Sequence, residues 1–403
     1  MAGKFKHNYP SNEEIQKLLD KHGTVFRVAK LLKIPASTFQ HHCSRENLVP
    51  RAGEPIKVET DVSHEEILEQ RVKELETRDR QVRKQNVFEE RVLRVLKESV
   101  ESREPKYSPR AIKKRVSPDE EHEFALLWSD LHAGETVSQE ETNGINGYDW
   151  EVMLRRHDKL RESLFSYLDN RPFPVSRLHV WALGDMLSGN IHEELSETNE
   201  IPLAEATVQA GLDFSVWMES LLERFNEIKF SGVVGNHPRA HQKPRAKQSF
   251  DNGDWIMYHT MRLALRKYPQ IEFDIPKAAA HPVTVAKNWR AMLWHGDGVR
   301  SSMPGVPWGG VMRRVAALQN QYTTAGMPID IFCCGHFHTA NVVEGSAGRV
   351  AMNGSVKGVD EYSLKAFGSG APARQVLLCF HPRHGLTDVS FIDLQEVKPA
   401  GGW

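Results

Sequence analysis

No stretch of this sequence approaches the roughly 20 uncharged apolar residues that span a bilayer, so a membrane-crossing helix is not expected. Cysteine is scarce: Cys43, Cys333, Cys334 and Cys379 are the only four, and none forms a C-x-x-C pair. That excludes a disulfide framework and a zinc ribbon, and it reads as reduced, buried thiols in a cytoplasmic protein. Met1 to Lys6 carries basic residues with no apolar segment after it, so no secretory signal is expected. Internal repeats and low-complexity tracts are absent, which excludes solenoids. Glycine and proline are missing throughout residues 62–104, a gap that points to one uninterrupted helix.

What is present is enough for a sizeable core and more than one unit: 403 residues, 40% hydrophobic and 26% charged. The net charge of −1 hides an asymmetry. Residues 1–51 hold nine Lys and Arg against four Asp and Glu, a surplus of five, so the remainder carries −6. A basic head on a mildly acidic body is the distribution expected when the head meets a polyanion.

Three regions follow along the chain. In the first, residues 1–50, Ser11 or Asn12 caps one short helix and Gly23 stops it, Thr24 caps a second helix through Leu32, and a third starts near Ser37. Val25, Val28, Leu31, Leu32, Ile34 and Phe39 supply a small core. The segment Val28–Phe39 resembles the resolvase- and transposase-type helix-turn-helix, although Lys33 stands where glycine is frequent. That resemblance implies DNA as a partner, with Ser37, Thr38, Gln40 and His41 facing base edges. The other reading is a helical docking module.

In residues 51–120, positions at 3-4 spacing from Leu68 to Val100 are apolar in seven of ten cases. An amphipathic helix over 62–104 is expected, either pairing two chains as a coiled-coil homodimer or lying solvated on its own chain. Residues 105–120, with Pro105, Pro109 and Pro118, read as a linker.

The third region, residues 121–395, is an α/β domain, with residues 396–403 a tail. Strands are expected at 124–128, 178–183, 229–234, 282–286, 290–294, 329–334, 349–352, 375–380 and 387–393, with a helix around 203–226. The later strands follow one another without evident helices, so antiparallel pairing is expected there, in layers around a central β-sandwich flanked by helices.

Five of these strands end in polar residues beside glycine: Asp130-Leu131-His132, Gly184-Asp185, Gly235-Asn236-His237, His295-Gly296 and Gly335-His336-Phe337-His338. Glycine lets the backbone turn so that the side chains converge. In D-x-H and H-x-H, alternate residues of an extended segment point the same way. Carboxylate, imidazole and amide together suit Mn, Fe or Zn better than Ca or Mg. One such motif alone is usually chance or a hydrogen-bonded core pair; five in order are specific.

The ordered set, over about 121–355, resembles the signature of the calcineurin-like metallophosphoesterases. The resemblance implies a two-metal phosphoesterase. Asp130, His132 and His338 would hold one divalent ion, Asn236, His295 and His336 the other, and Asp185 would bridge them, with Mn first among the metals and Fe or Zn as alternatives. It also implies that His237 is not a ligand but protonates or stabilises the leaving oxygen.

Two departures from the pattern matter. Pro238 occupies the place where many relatives have the acid that orients this histidine, which leaves Asp297, His192 or a backbone carbonyl as its partner. The acid and arginine that follow G-D in the serine/threonine phosphatases are missing from Met186 to Asn190. That argues against a phosphoprotein phosphatase. A basic loop, Arg239, His241, Lys243, Arg245 and Lys247, follows His237 and is placed to hold flanking phosphates. Trp308 either stacks on a base or packs in the core, and the second is favoured.

The expected function is therefore phosphodiester hydrolysis in nucleic acid, a nuclease of the DNA-repair type targeted by the N-terminal region. The alternative is a phosphatase or nucleotide hydrolase acting on a small molecule, with that region serving assembly. A helix-turn-helix beside a nuclease is also a combination expected of phage, which would place the chain in the host cytoplasm.

Overall fold

A computed structural model gives the fold and describes residues 9–49, 121–191, 195, 198–241, 243–299, 305–368 and 370–395. The expected helix at 62–104, the linker at 105–120, the tail at 396–403, residues 301–304 and His192 lie outside the described residues. Two compact units fall within residues 1–87 and 88–403.

The first unit contains three helices: α1 (Asn12–His22), α2 (Val25–Leu31) and α3 (Ala36–Arg45). Ser11 and Glu14 cap α1 reciprocally, and Gly23, at φ 69°, ends it. Thr24 caps α2 by accepting from Arg27 N. Lys33 adopts the left-handed conformation itself, at φ 57°, in the tight turn where glycine is frequent. Ile15, Leu19, Val28, Ala29, Phe39 and Cys43 form the core. Leu31 does not join it and is 56% exposed. At 100° per residue it points away from the stripe formed by Val25, Val28 and Ala29, and α1 supplies the missing apolar surface instead.

The second unit is a four-layer α/β/β/α sandwich. Its six-stranded sheet runs β11 (Gly385–Asp393), β10 (Arg374–His381), β1 (His122–Trp128), β2 (Val175–Ala182), β3 (Glu227–Gly232), β4 (Ile271–Asp274). Its five-stranded sheet runs β5 (Ala280–Val285), β6 (Trp289–Trp294), β7 (Ile331–Cys334), β9 (Gly348–Met352), β8 (Asn341–Gly345). The alternation of side chains along β1 shows why both faces are apolar. Ala125 and Leu127 pack between the sheets with Leu293, Ile331 and Cys333. Phe124, Leu126 and Trp128 point outward under α4 (Trp150–Asp169), α5 (Leu203–Ser220) and α6 (Gly253–Ala264). On the far side, Phe332, Val350 and Met352 pack under α7 (Trp308–Thr324) through Val311 and Val315, and Trp308 packs at this cluster. A short α8 (Glu361–Phe367) precedes β10.

The expected antiparallel pairing holds at β5–β6, β8–β9 and β10–β11. It fails for β6, β7 and β9, which run parallel. The reasons are α7, a crossover helix between β6 and β7, and β8, a strand between β7 and β9 that pairs antiparallel with β9; neither was expected from the sequence. β1 to β4 are likewise parallel. Five parallel strands, β1, β2, β3, β6 and β7, thus deliver their C-terminal ends to one edge of the sandwich.

Candidate metal centre

Every residue singled out at a strand end arrives at that edge. Asp130 and His132 follow β1, Asp185 follows β2, and Asn236 and His237 follow β3. His295 follows β6; His336 and His338 follow β7. The D-x-H and H-x-H segments are not extended, which corrects the expectation above. Asp130, His132, Asp185, His336 and His338 all have φ between 51° and 69°. Asp and His are among the few side chains that tolerate this left-handed region, and its sharp curl folds each ligand back over the strand end. Gly235 and Gly335 supply the remaining clearance, since a Cβ on either would collide with the carboxylates of Asp185 and Asp130.

The side chains form two groups. In the first, Nε2 of His132 and Nε2 of His338 face each other at 3.2 Å, and Asp130 Oδ1 lies 3.5 Å from His338 Nε2. In the second, His295 Nε2 lies 3.0 Å from both Asp185 Oδ2 and Asn236 Oδ1, with His336 in reach. Ligand atoms of Asp130, His132 and His338 lie within 4.8 Å of one another, as do those of Asp185, His295 and His336. Asp185 is also within that reach of His132 and His237, so it stands between the two groups. Buried carboxylates converging with imidazole nitrogens are a donor set that holds divalent cations. Two ring nitrogens aimed at each other beside a carboxylate fit an ion between them.

The electrostatics agree. Burial opposes ionisation of Asp185, yet the charge of His295, and then that of His237, hold its carboxyl well below the usual range. Burial also opposes ionisation of Asp130, and the hydrogen bond and charge of His338 hold it down. Burial would lower His295, but the charge and hydrogen bond of Asp185 push it up to about 10, so a proton there balances the carboxylates. His295 Nδ1 donates to Leu183 O at 2.7 Å, which fixes the ring with Nε2 toward the cluster.

His237 is held by the backbone. Its Nδ1 donates to Ser188 O at 2.9 Å, and its N–H donates to Asp185 Oδ1 at 2.8 Å. Of the partners open in the sequence, a backbone carbonyl is observed among the described residues, Asp297 is exposed, and His192 lies outside those residues. Burial lowers His237 to about 3 despite Asp185, with His132 and Lys357 adding to the drop.

Several contributors escaped the sequence reading. Asp254, fully buried, accepts from Met186 N at 3.1 Å and from Gly235 N at 2.9 Å, tying the loops after β2 and β3 together. Burial and the charge of Asp185 raise it to about 7. Ser129 Oγ donates to Asp130 Oδ2 at 2.5 Å and accepts from Asn353 Nδ2 at 2.9 Å. Only Ser129 had a local signal, its place beside Asp130.

Arg239 is half-buried and its Nε donates to His241 O at 2.8 Å within its own loop, while Lys243, Arg245 and Lys247 are exposed. Gly253 N donates to Pro238 O at 2.8 Å, so both ends of this loop are anchored next to His237. In the three-helix unit, Thr38, Gln40 and His41 are exposed along α3, on which Ser37 also lies.

No family model and no curated protein matches the chain. Solved structures that resemble it include a vacuolar protein sorting 29 from Cryptosporidium parvum, at 14% identity and a TM-score of 0.28 over 67% of this chain and 96% of that one. A novel archaeal phosphodiesterase matches at 11% identity and a TM-score of 0.31, over 67% and 99%. A protein from Streptococcus pneumoniae described as a predicted phosphoesterase matches at 11% and 0.28, over 69% and 94%. Likeness this faint decides nothing about chemistry, and the assignment below rests on the site.

Proposed function

We propose that this chain is a two-metal phosphoesterase of the calcineurin-like kind that hydrolyses phosphodiesters, with nucleic acid as its substrate class. The observation that carries this reading is the sharing of Asp185 between two ligand groups at one sheet edge. Asp130, His132 and His338 would hold one divalent cation, and Asn236, His295 and His336 the second, with Asp185 facing both. Bound there, such cations supply Lewis acidity, offsetting phosphoryl charge and making a water acidic enough to deprotonate near neutral pH. Mn is the first choice for this mixed oxygen and nitrogen set, with Fe and Zn behind it.

His237 orients and moves the proton. With Nδ1 turned to Ser188 O, Nε2 is the nitrogen that would meet the leaving oxygen. An anionic phosphoryl oxygen beside Nε2 favours the imidazolium that burial disfavours. That nitrogen then gives its proton to the departing alkoxide as its bond to phosphorus breaks. Lys243 and Arg245, on a loop rooted beside His237, and Arg239 at its base would hold phosphates flanking the scissile one. The exposed row Thr38, Gln40 and His41, with Ser37, would read base edges and bring the enzyme to DNA in the manner of a helix-turn-helix.

The test is an activity panel on the full chain loaded with Mn: bis-p-nitrophenyl phosphate, the monoester analogue, and labelled DNA and RNA. Cleavage of the diester and of a polynucleotide is the expected result. Turnover of the monoester alone would replace this reading with that of a small-molecule phosphatase.

A further inference from the structure

The two ligand groups are not the only buried charges at this edge. Behind His132 lies a second cluster: Lys357, 3% exposed, is paired with both Glu135 and Asp360, themselves buried. Lys357 Nζ donates to Glu135 Oε1 at 2.8 Å, and it also donates to Asp360. Burying an ammonium requires compensation, and one carboxylate would provide it. Two are present, so these three groups carry one negative charge in excess. The excess faces His132. Glu135 Oε2 lies 3.2 Å from His132 Nδ1 as an ion-pair contact, and both atoms are buried with no hydrogen bond made.

We infer that Glu135 is a positioning residue for His132: clamped by Lys357, its Oε2 takes the Nδ1–H of the imidazole and so turns the Nε2 lone pair toward the first cation. The inference rests on the two-metal reading above. Its logic is that of a carboxylate–histidine–metal arrangement, in which the outer carboxylate fixes the tautomer and raises ligand basicity. The rest of the wall makes the clamp rigid. Asp360 also accepts from Ser363 N at 2.7 Å, capping α8. Arg156 donates to the carbonyls of Val356 and Lys357, and Asn146 Nδ2 donates to Lys357 O at 2.9 Å. Val356 N donates to Asp130 O at 3.1 Å, so the segment carrying Lys357 is pinned to the ligand strand itself. Glu135 therefore has one oxygen held from behind and the other left for His132.

The experiment is a calorimetric titration of the chelator-stripped full chain with Mn²⁺, for the wild type, Glu135→Gln and Glu135→Ala. Thermal melts of the stripped proteins accompany it. Two binding steps are expected in the wild type. In Glu135→Ala, one step should weaken about 10- to 100-fold while the other stays put. Glu135→Gln keeps a carbonyl oxygen able to accept from Nδ1 and should recover part of the loss. Selective loss of one step with partial recovery is something a merely structural role would not produce. Should Glu135→Ala fail to fold, the near-isosteric Glu135→Gln still has to weaken one step severalfold. Two unchanged steps in a folded variant overturn this inference alone. A wild type that takes up no cation overturns the metal reading on which it stands.

Discussion

The two halves of the ligand cluster are oriented by different chemistry. In the first, His132 faces a buried carboxylate that is itself clamped by a buried lysine. In the second, His295 donates to a neutral backbone carbonyl at Leu183 and draws its charge balance from Asp185 within the cluster. One half thus leans on a neighbouring carboxylate clamped by a lysine from more than 200 residues away. The other leans on the strand that already carries Asp185. A side-chain clamp can be altered by a single substitution, whereas a carbonyl clamp cannot, so the halves should respond differently to the same insult.

The largest effect is expected from the residue that belongs to neither half. His237→Ala should lower kcat by about 10²- to 10⁴-fold while both cations still bind. Steady-state kinetics beside metal analysis checks this, and loss of metal would instead place His237 among the ligands. Next comes the shared member. Asp185→Asn should weaken both cations, each by more than the about 100-fold that loss of an outer partner costs. Asn236→Ala should affect the second half only. Calorimetry on the two variants decides whether the halves are joined at Asp185.

A third effect concerns the helix-covered face of β1. His157 accepts from Trp128 Nε1 at 3.0 Å and donates through Nδ1 to Met153 O at 2.8 Å, and burial lowers it from 6.5 to about 4. A proton taken up by the unfolded chain near pH 6.5 is refused by the folded one. The associated stability, about 3 kcal/mol, is complete above pH 6.5 and is lost as pH falls through that value toward about 4. Denaturant midpoints measured from pH 7 to pH 4 should fall, and His157→Gln should flatten that decline. A fourth effect, modest within any one pH unit, is on metal uptake in the second half. His295, raised to about 10, must give up a proton when a cation binds. Affinity there should rise about tenfold per pH unit below that value, with proton release visible in buffers of different ionisation enthalpy. A pH-independent second step would contradict the assignment of His295.

The sequence carried the proposed ligands more fully than the machinery that would aim them. Asp130, His132, Asp185, Asn236, His295, His336 and His338 were legible because metal-binding residue types recur beside glycine at strand ends, and such patterns are local. Glu135, Lys357 and Asp254 were not, because their roles come from contacts across more than 200 residues for Lys357 and across the loops of two strands for Asp254. The edge strands β4 and β8 were missed for another reason: each is four or five residues long with exposed positions, so no apolar run announces it. In the three-helix unit Leu31 was misplaced because its helix has two apolar flanks and only one meets a partner. Parallel order in β6 and β7 was hidden by α7, whose glycines and arginines, Gly309, Gly310, Arg313 and Arg314, blur its period, and that of β7 and β9 by the missed β8 between them.

The left-handed backbones at five of the ligands have a consequence for anyone who would engineer this protein. Each non-glycine residue held there costs about 1 kcal/mol or more, and glycine would relieve it. A library of variants sorted only on melting temperature, without metal, should therefore enrich glycine at the half-buried His336 and His338, whereas at Asp130 and Asp185 the hydrogen bonds that their carboxylates accept oppose it. Its winners would be sturdier proteins that had shed their ligands one by one.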